Sequence, residues 1–241
     1  MSTVEVESRS LFRSQRYPAV RAIVEAERDL NRSLADTAGE MIIKQIINGE
    51  LPSGARLKTT ELGEKLGMSR TPVTKALAKL SSEGILSQPN NFQAIVTPGA
   101  ANWLVQTHEL RQLIEPEAAR RAAGNLPAEV VDDLLLLSRD AKPTRSHEWF
   151  EAAQYFDFAL HLSIAEFCGN VPIRVSIRKC WMYKWLSYEL SEGCRSELKT
   201  EYGEHAAILN AVAEGDAERA YQEMHHHLQT ASVNRFSPRV I

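Results

Sequence analysis

The sequence has little cysteine: Cys168, Cys180 and Cys194 are widely spaced and form no C-x-x-C pair. This argues against both a disulfide framework and a cysteine-rich zinc site, so reduced, mostly buried thiols are expected. No apolar stretch approaches the roughly 20 residues that a membrane span requires. The arginine-bearing start, Ser8 to Arg16, lacks the apolar core of a secretory signal. A cytoplasmic protein with no membrane partner is the expectation. Glycine (12) and proline (10) are too sparse in 241 residues for a collagen-like chain, and no repeat or low-complexity tract is present. A hydrophobic share of 44% with 24% charged residues is globular and excludes wholesale disorder.

Net charge is also small, at −3, but it is unevenly spread. Residues 33–98 hold 7 Lys and Arg against 6 Asp and Glu, whereas 99–241 hold 15 against 20. Contact with an anionic polymer must therefore come from local patches in the shorter segment.

The hydrophobic pattern changes along the chain. Residues 1–32 read as an N-terminal extension with a short helix over 19–30. A helix follows from Leu34, with Leu34, Ala38, Met41, Ile42 and Ile46 at helical spacing and Gly49 at its stop. A short helix over 60–66 ends at Gly67, and Met68-Ser69 connects it to a third over 70–81. That third helix aligns Val73, Ala76, Leu77 and Leu80 on one stripe and turns Arg70, Thr71, Thr74 and Lys75 outward. Ser69 is placed to cap it, and Pro72 is tolerable because it lies in the first turn. Residues 85–87 and 94–97 read as a hairpin turning at Pro89-Asn90-Asn91.

Beyond Pro98-Gly99 the strand signal disappears. About six helical periods follow, over 102–123, 127–140, 147–168, 171–191, 197–213 and 216–234, broken at Gly, Pro and Asn. The predicted fold class is mainly α: an N-terminal winged helix-turn-helix over 33–98, then an all-α helical bundle over 99–241.

Two helices on a tight turn, the second opening with exposed Arg, Thr and Lys, suit recognition in a DNA major groove. Residues 69–80 carry three basic residues and no acid. The pattern alone equally describes a small helical domain with a solvated basic face. The stretch IINGELPSGARLKTTELGEKLGMSRTPVTKALAKLSSEGIL, however, resembles the winged helix-turn-helix of the GntR family of bacterial transcription regulators. The shared features are G-x-L-x-x-G-x-R-L, the helix pair around LGMSRTPV, and L-x-x-E-G before the wing. This resemblance implies double-stranded operator DNA as partner, with Ser69, Arg70 and Thr71 at the contact positions and Arg56 near the backbone. Thr74-Lys75 stand where many relatives have Arg-Glu, so by this resemblance a base or phosphate contact usually made by Arg is either absent or moved to Lys75. Thr59 replaces a common acid, and Asn90-Asn91-Phe92-Gln93 replaces a wing glycine.

In the second segment Asp157 and His161 lie at i and i+4, on one helix face and about 5–6 Å apart at Cβ. His205 lies in GEHAAIL, and His225, His226 and His227 lie near the end of the last helix. A mixture of nitrogen and oxygen ligands converging in a bundle suits a divalent metal of borderline softness. Taken singly, such a pair is more often a surface ion pair, and nothing in the spacing links positions 157, 205 and 227.

Residues 108–230 resemble the ligand-binding FCD domain of the FadR-like subgroup of the same family. The matching pieces are HELRQLIEPEAARRAA, DFALHLSIAEFCGN and EHAAILNAVAEGDAERAYQEMHHHL. The resemblance implies that Asp157, His161, His205 and His227 hold one divalent metal (zinc, nickel or manganese), with His225 and His226 outside the pattern. It further implies a small carboxylate effector on that metal. Arg111 and Arg120 are candidates for a second contact to it, or for surface salt bridges. A ligand-responsive transcription regulator acting as a homodimer is expected. The alternative is a metal-dependent enzyme, a hydrolase or oxygenase, using the same Asp/His site; no motif supplies its general base.

Overall fold

Each hydrophobic period carries a buried stripe and a stop signal, and these turn into helices close to the expected places. The computed structural model describes residues 16–27, 33–89, 93–145, 148–182, 184 and 194–231. The expected hairpin turn at Asn90-Asn91, the end of the helix expected over 171–191 and residues 232–234 of the last expected helix lie outside the described residues. The chain divides into two units. One contains the described residues between 29 and 107; the other joins those of 1–28 to those from 108 onward.

The smaller unit begins with α2 (Leu34–Ile47). The Ser33 side chain accepts from the Asp36 amide while the Asp36 carboxylate accepts from the Ser33 amide, a reciprocal cap that satisfies two helix-end donors. Helix α3 (Thr59–Leu66) stops at Gly67, whose φ of 65° favours glycine. A Cβ on Gly63 would stand 2.9 Å from the Met68 carbonyl oxygen, so the turn can close only over glycine there. Helix α4 (Arg70–Ser82) buries Val73, Ala76, Leu77 and Leu80 against α2 and α3, as its periodicity predicts. Ser69 occupies the cap position with extended backbone but makes no capping hydrogen bond, contrary to expectation.

Strands β1 (Arg56–Leu57), β2 (Leu86–Ser87) and β3 (Ala94–Val96) form an antiparallel sheet ordered β1-β3-β2. The sequence predicts β2 and β3 but not β1, since two residues are too short to show a period. Pairing of Arg56 opposite Ile95 and burial of Leu57 create that strand.

The larger unit comprises α1 (Pro18–Glu27), α5 (Trp103–Ala122), α6 (Ala128–Asp140), α7 (Glu148–Phe167), α8 (Val171–Met182), α9 (Cys194–Glu214) and α10 (Ala217–Thr230). The division between units falls near the start of α5, after Thr107. Helix α7 is the centre: every residue from Tyr155 to Ala165 is buried, the mark of a helix with protein on all sides. Helices α1, α6, α8 and α9 pack on it, and α10 packs on α9. Helix α9 starts before the predicted residue 197 because Cys194, Leu198, Glu201 and His205 extend one buried stripe at three- and four-residue spacing. Among the described residues no helix is long and apolar enough to cross a membrane.

Helix α1, read from sequence as part of an extension, belongs to this core through Tyr17, Val20, Ile23 and Val24. The amides of Ala19 and Val20 donate to Asp133 Oδ2 of α6 at 2.8 and 3.2 Å, so a carboxylate from another helix satisfies its open N-terminus. Arg16 pairs with Asp140 at 3.0 Å, and the Tyr17 hydroxyl donates to the same carboxylate. His108 Nε2 donates to the Leu228 carbonyl at 2.9 Å and Gln112 Nε2 donates to it at 3.0 Å, tying α5 to the end of α10.

Ile23→Ala is predicted to destabilise the larger unit by about 2 kcal/mol, the low end for emptying a buried isoleucine site. Chemical denaturation checks this, and unchanged stability would show that α1 is not docked. Burial, with Arg111 adding to it, pushes the His108 imidazole down to about 4. Between that value and the ordinary value near 6.5, the unfolded chain binds a proton that the folded chain refuses, so stability falls as pH drops through this window. Melting temperature measured against pH should show a shallower fall for His108→Gln than for wild type; equal slopes would exclude this histidine as a source.

Candidate functional site

The four sequence-predicted ligands come together at the centre of the larger unit. Asp157 and His161 stand on successive turns of α7, His205 on α9 and His227 on α10. All four are buried, at 1–2% exposure, and one ligand atom from each lies within 4.8 Å of the others. An ion with bonds of about 2.0–2.2 Å spans up to about 4.4 Å between opposite ligands, so the cluster needs only a few tenths of an ångström to close. The ring centroids of His205 and His227 are 4.4 Å apart, and those of His161 and His227 are 5.4 Å apart.

Surrounding carboxylates determine which nitrogen faces the centre. Glu115 Oε2 of α5 lies 2.5 Å from His161 Nδ1, and Glu204 Oε2 of α9 lies 2.8 Å from His227 Nδ1. An ionised carboxylate only accepts, so each imidazole carries its proton on Nδ1 and keeps the Nε2 lone pair. His161 Nε2 and His205 Nε2 are buried without a hydrogen-bond partner, and they lie 3.5 and 3.2 Å from Asp157 Oδ1. Unsatisfied buried nitrogens aimed at a carboxylate fit a metal-binding donor set, because a cation would satisfy all of them at once.

The electrostatics agree with that form. Burial pushes the His161 and His227 imidazoles down, His227 to about 3, so both stay neutral. Burial opposes ionisation of Glu115, but Arg111 and His161 outweigh it and hold the carboxyl below its ordinary range. Burial likewise opposes ionisation of Asp157, and Lys184 with His205 and His161 overcomes it. Glu115 also accepts from Arg111 Nε at 2.6 Å and from Trp181 Nε1 at 2.9 Å, and Trp181 packs on His161 with centroids 4.7 Å apart.

Arg111, proposed from sequence as an effector contact, is therefore part of this buried network. Arg120 is not brought to it: its guanidinium bonds Glu117 and Glu218 and lies 4.1 Å above the Tyr221 ring. His226 is exposed and His225 stacks on Tyr221. Sequence reasoning missed Glu115, Glu204 and Lys184. For Glu115 a signal existed, since His108, Arg111, Glu115, Ala118, Ala119 and Ala122 follow a single helical stripe, which makes the polar members buried. Glu204 merely precedes His205, and no period ties it to His227.

In the smaller unit Ser69, Arg70, Thr71, Thr74 and Lys75 are all exposed at the start of α4, and Arg56 is exposed on β1. The Thr74 hydroxyl donates to the Arg70 carbonyl at 2.9 Å.

Two family models cover most of the chain. "Bacterial regulatory proteins, gntR family" matches residues 34–90 and "FCD domain" matches 106–230. The chain is 26% identical over 225 residues to the Uxu operon regulator of Haemophilus influenzae, covering 82% of this chain and 80% of that protein. It is 24% identical over 227 residues to the HTH-type transcriptional repressor NanR of Klebsiella aerogenes, covering 84% and 85%. The solved structure of E. coli McbR/YncC shares the fold, with a TM-score of 0.56 at 24% identity over 83% of this chain and 95% of that one. These families and relatives are transcription regulators and not enzymes, which sets aside the metal-dependent hydrolase or oxygenase considered from sequence. Since the helix-turn-helix and the helical bundle are each matched by a model of their own, the chain belongs to the GntR family of bacterial transcription regulators, in the FadR-like group that carries an FCD domain.

Proposed function

We propose that this regulator senses a small organic acid at a divalent metal held by Asp157, His161, His205 and His227, and that the acid changes its affinity for operator DNA. The observation that carries the reading is the convergence of four buried ligand atoms, two of them on imidazoles whose far nitrogens are held by carboxylates. Three imidazoles and one carboxylate suit zinc, nickel and manganese. When bound, the ion supplies a Lewis-acidic position for a carboxylate oxygen. Arg111 is the effector contact on the protein side, because its guanidinium is buried next to the ligand set; Arg120 remains at the surface.

On the DNA side, the exposed start of α4 enters the major groove, with Arg70, Ser69 and Thr71 at base edges. Arg56, Thr74 and Lys75 lie along the phosphates. Two copies related by a two-fold axis, joined through the larger unit, read a near-palindromic site. Regulation is then linkage: an acid that prefers one arrangement of the dimer shifts DNA affinity by its differential binding, and DNA shifts affinity for the acid by the same factor.

Arg70→Ala is expected to weaken specific operator binding by about 1–3 kcal/mol, the value of one lost base contact. A titration by fluorescence anisotropy reads this directly, and unchanged affinity would remove α4 from the groove. His205→Ala is expected to lose stoichiometric zinc, nickel or manganese while nonspecific DNA binding persists. Elemental analysis of the purified variant decides the point: full occupancy would mean that the ligand set is different.

A further inference from the structure

The last turn of α10 carries one of the four candidate ligands and is gripped by two other helices. Glu204 of α9 holds the His227 imidazole and also accepts from the Thr230 hydroxyl at 2.9 Å. From α5, His108 Nε2 and Gln112 Nε2 donate to the Leu228 carbonyl at 2.9 and 3.0 Å. Helix α10 ends at Thr230, so Leu228 is among the final carbonyls that a helix cannot satisfy within itself. Side chains of α5 thus cap α10 at the residue next to His227.

Helix α5 is also the element that runs from one unit into the other. Trp103 to Thr107 belong to the smaller unit, and His108 is the first residue of the helix in the larger one. The helix is weakened just beyond the clasp. Pro116 has no amide hydrogen to give the Gln112 carbonyl four residues earlier, and its ring crowds that carbonyl. The stretch from Trp103 to Gln112 is therefore joined to the rest of α5 by a softened turn, while two hydrogen bonds to Leu228 tie it to α10.

Metal binding acts on the same turn of α10. The four ligand atoms lie within 4.8 Å of one another and must close by a few tenths of an ångström to meet an ion with bonds of about 2.0–2.2 Å. His227 is one of the four, and any shift of its backbone passes to the Leu228 carbonyl one residue on. Hydrogen bonds depend steeply on length and alignment. The hold of His108 and Gln112 on that carbonyl therefore differs between the metal-free and the metal-loaded protein.

We infer that the His108–Gln112 clasp on Leu228 is the relay by which the metal site biases the DNA-binding unit, with Pro116 as its joint. This rests on the reading of Asp157, His161, His205 and His227 as a metal centre and of the start of α4 as the DNA-binding face. Linkage makes the relay reciprocal, so DNA shifts metal affinity by the same factor.

The test uses the full chain, wild type and Gln112→Leu, with whichever of zinc, nickel and manganese wild type binds most tightly. The DNA is a duplex selected by the wild-type protein from a random-sequence pool, and its affinity is measured by fluorescence anisotropy with and without saturating metal. Metal is expected to change wild-type affinity for this duplex by about fivefold or more, and Gln112→Leu to reduce the change to less than about twofold. A merely structural clasp would, once cut, lower the melting temperature and leave the metal-dependent ratio as in wild type. Hydrogen exchange of wild type gives a readout that needs no variant: metal is expected to slow amide exchange over residues 108–112 as well as around His227. Wild type that binds none of the three metals, or selects no duplex, would overturn the reading beneath this inference and the inference with it. Wild type that binds both metal and duplex, yet shows equal DNA affinity with and without metal, overturns the inference alone. So does unchanged exchange over 108–112, or an undiminished ratio in a folded Gln112→Leu protein.

Discussion

Two carboxylate–imidazole hydrogen bonds, Glu115 to His161 and Glu204 to His227, hold the centre of the larger unit in one chemical form. Each places a proton on the outer nitrogen and leaves the inner nitrogen as a donor of electrons, and each fixes the ring plane. Without them a buried neutral imidazole could present either face, and the four ligand atoms would not converge. The bonds reach further, because Glu115 is also where Arg111 and Trp181 attach. A single carboxylate in the middle of α5 thus orders side chains from α5, α7 and α8.

Such a centre is expensive to build. Charged groups removed from water cost several kcal/mol each unless paired, and this core holds Arg111, Glu115, Asp157 and Lys184 together. Pairing of Arg111 with Glu115 and of Lys184 with Asp157 offsets that cost. His161 Nε2 and His205 Nε2 are left unsatisfied, a departure from the rule that buried polar atoms find partners. A polar, unsatisfied spot within the helix packing is one that could hold a metal ion. The smaller unit follows the opposite logic: its candidate contact residues lie on an exposed helix face, where polar groups are solvated at no cost, and among the described residues the core beneath is apolar.

Much of this was legible from residue order, and the exceptions share a cause. Helix α4 was readable because Val73, Ala76, Leu77 and Leu80 repeat with the helical period and Gly67 marks the turn before it. The candidate quartet was readable only through family resemblance, since Asp157 and His161 are neighbours on one helix while His205 and His227 arrive from others. Strand β1 left no trace in a two-residue segment, and α1 gave a weak period whose destination was unknown. Arg111 and Arg120 looked equivalent in sequence, about two and a half turns apart on the same helix, yet one is buried beside Glu115 and the other lies over Tyr221 at the surface.

Local pattern by itself determined the helices, the two β strands of the hairpin, the apolar faces and the cationic start of α4, because each is governed by periods and stop signals within a few residues. Tertiary structure decided everything that depends on meeting across the chain: which imidazole nitrogen carries a proton, which arginine enters the core, where α1 docks, and that Lys184 stands against Asp157. Those outcomes depend on distances between segments far apart in sequence, and in water such distances are set by the packing of whole helices and by the need of each buried charge to find its opposite.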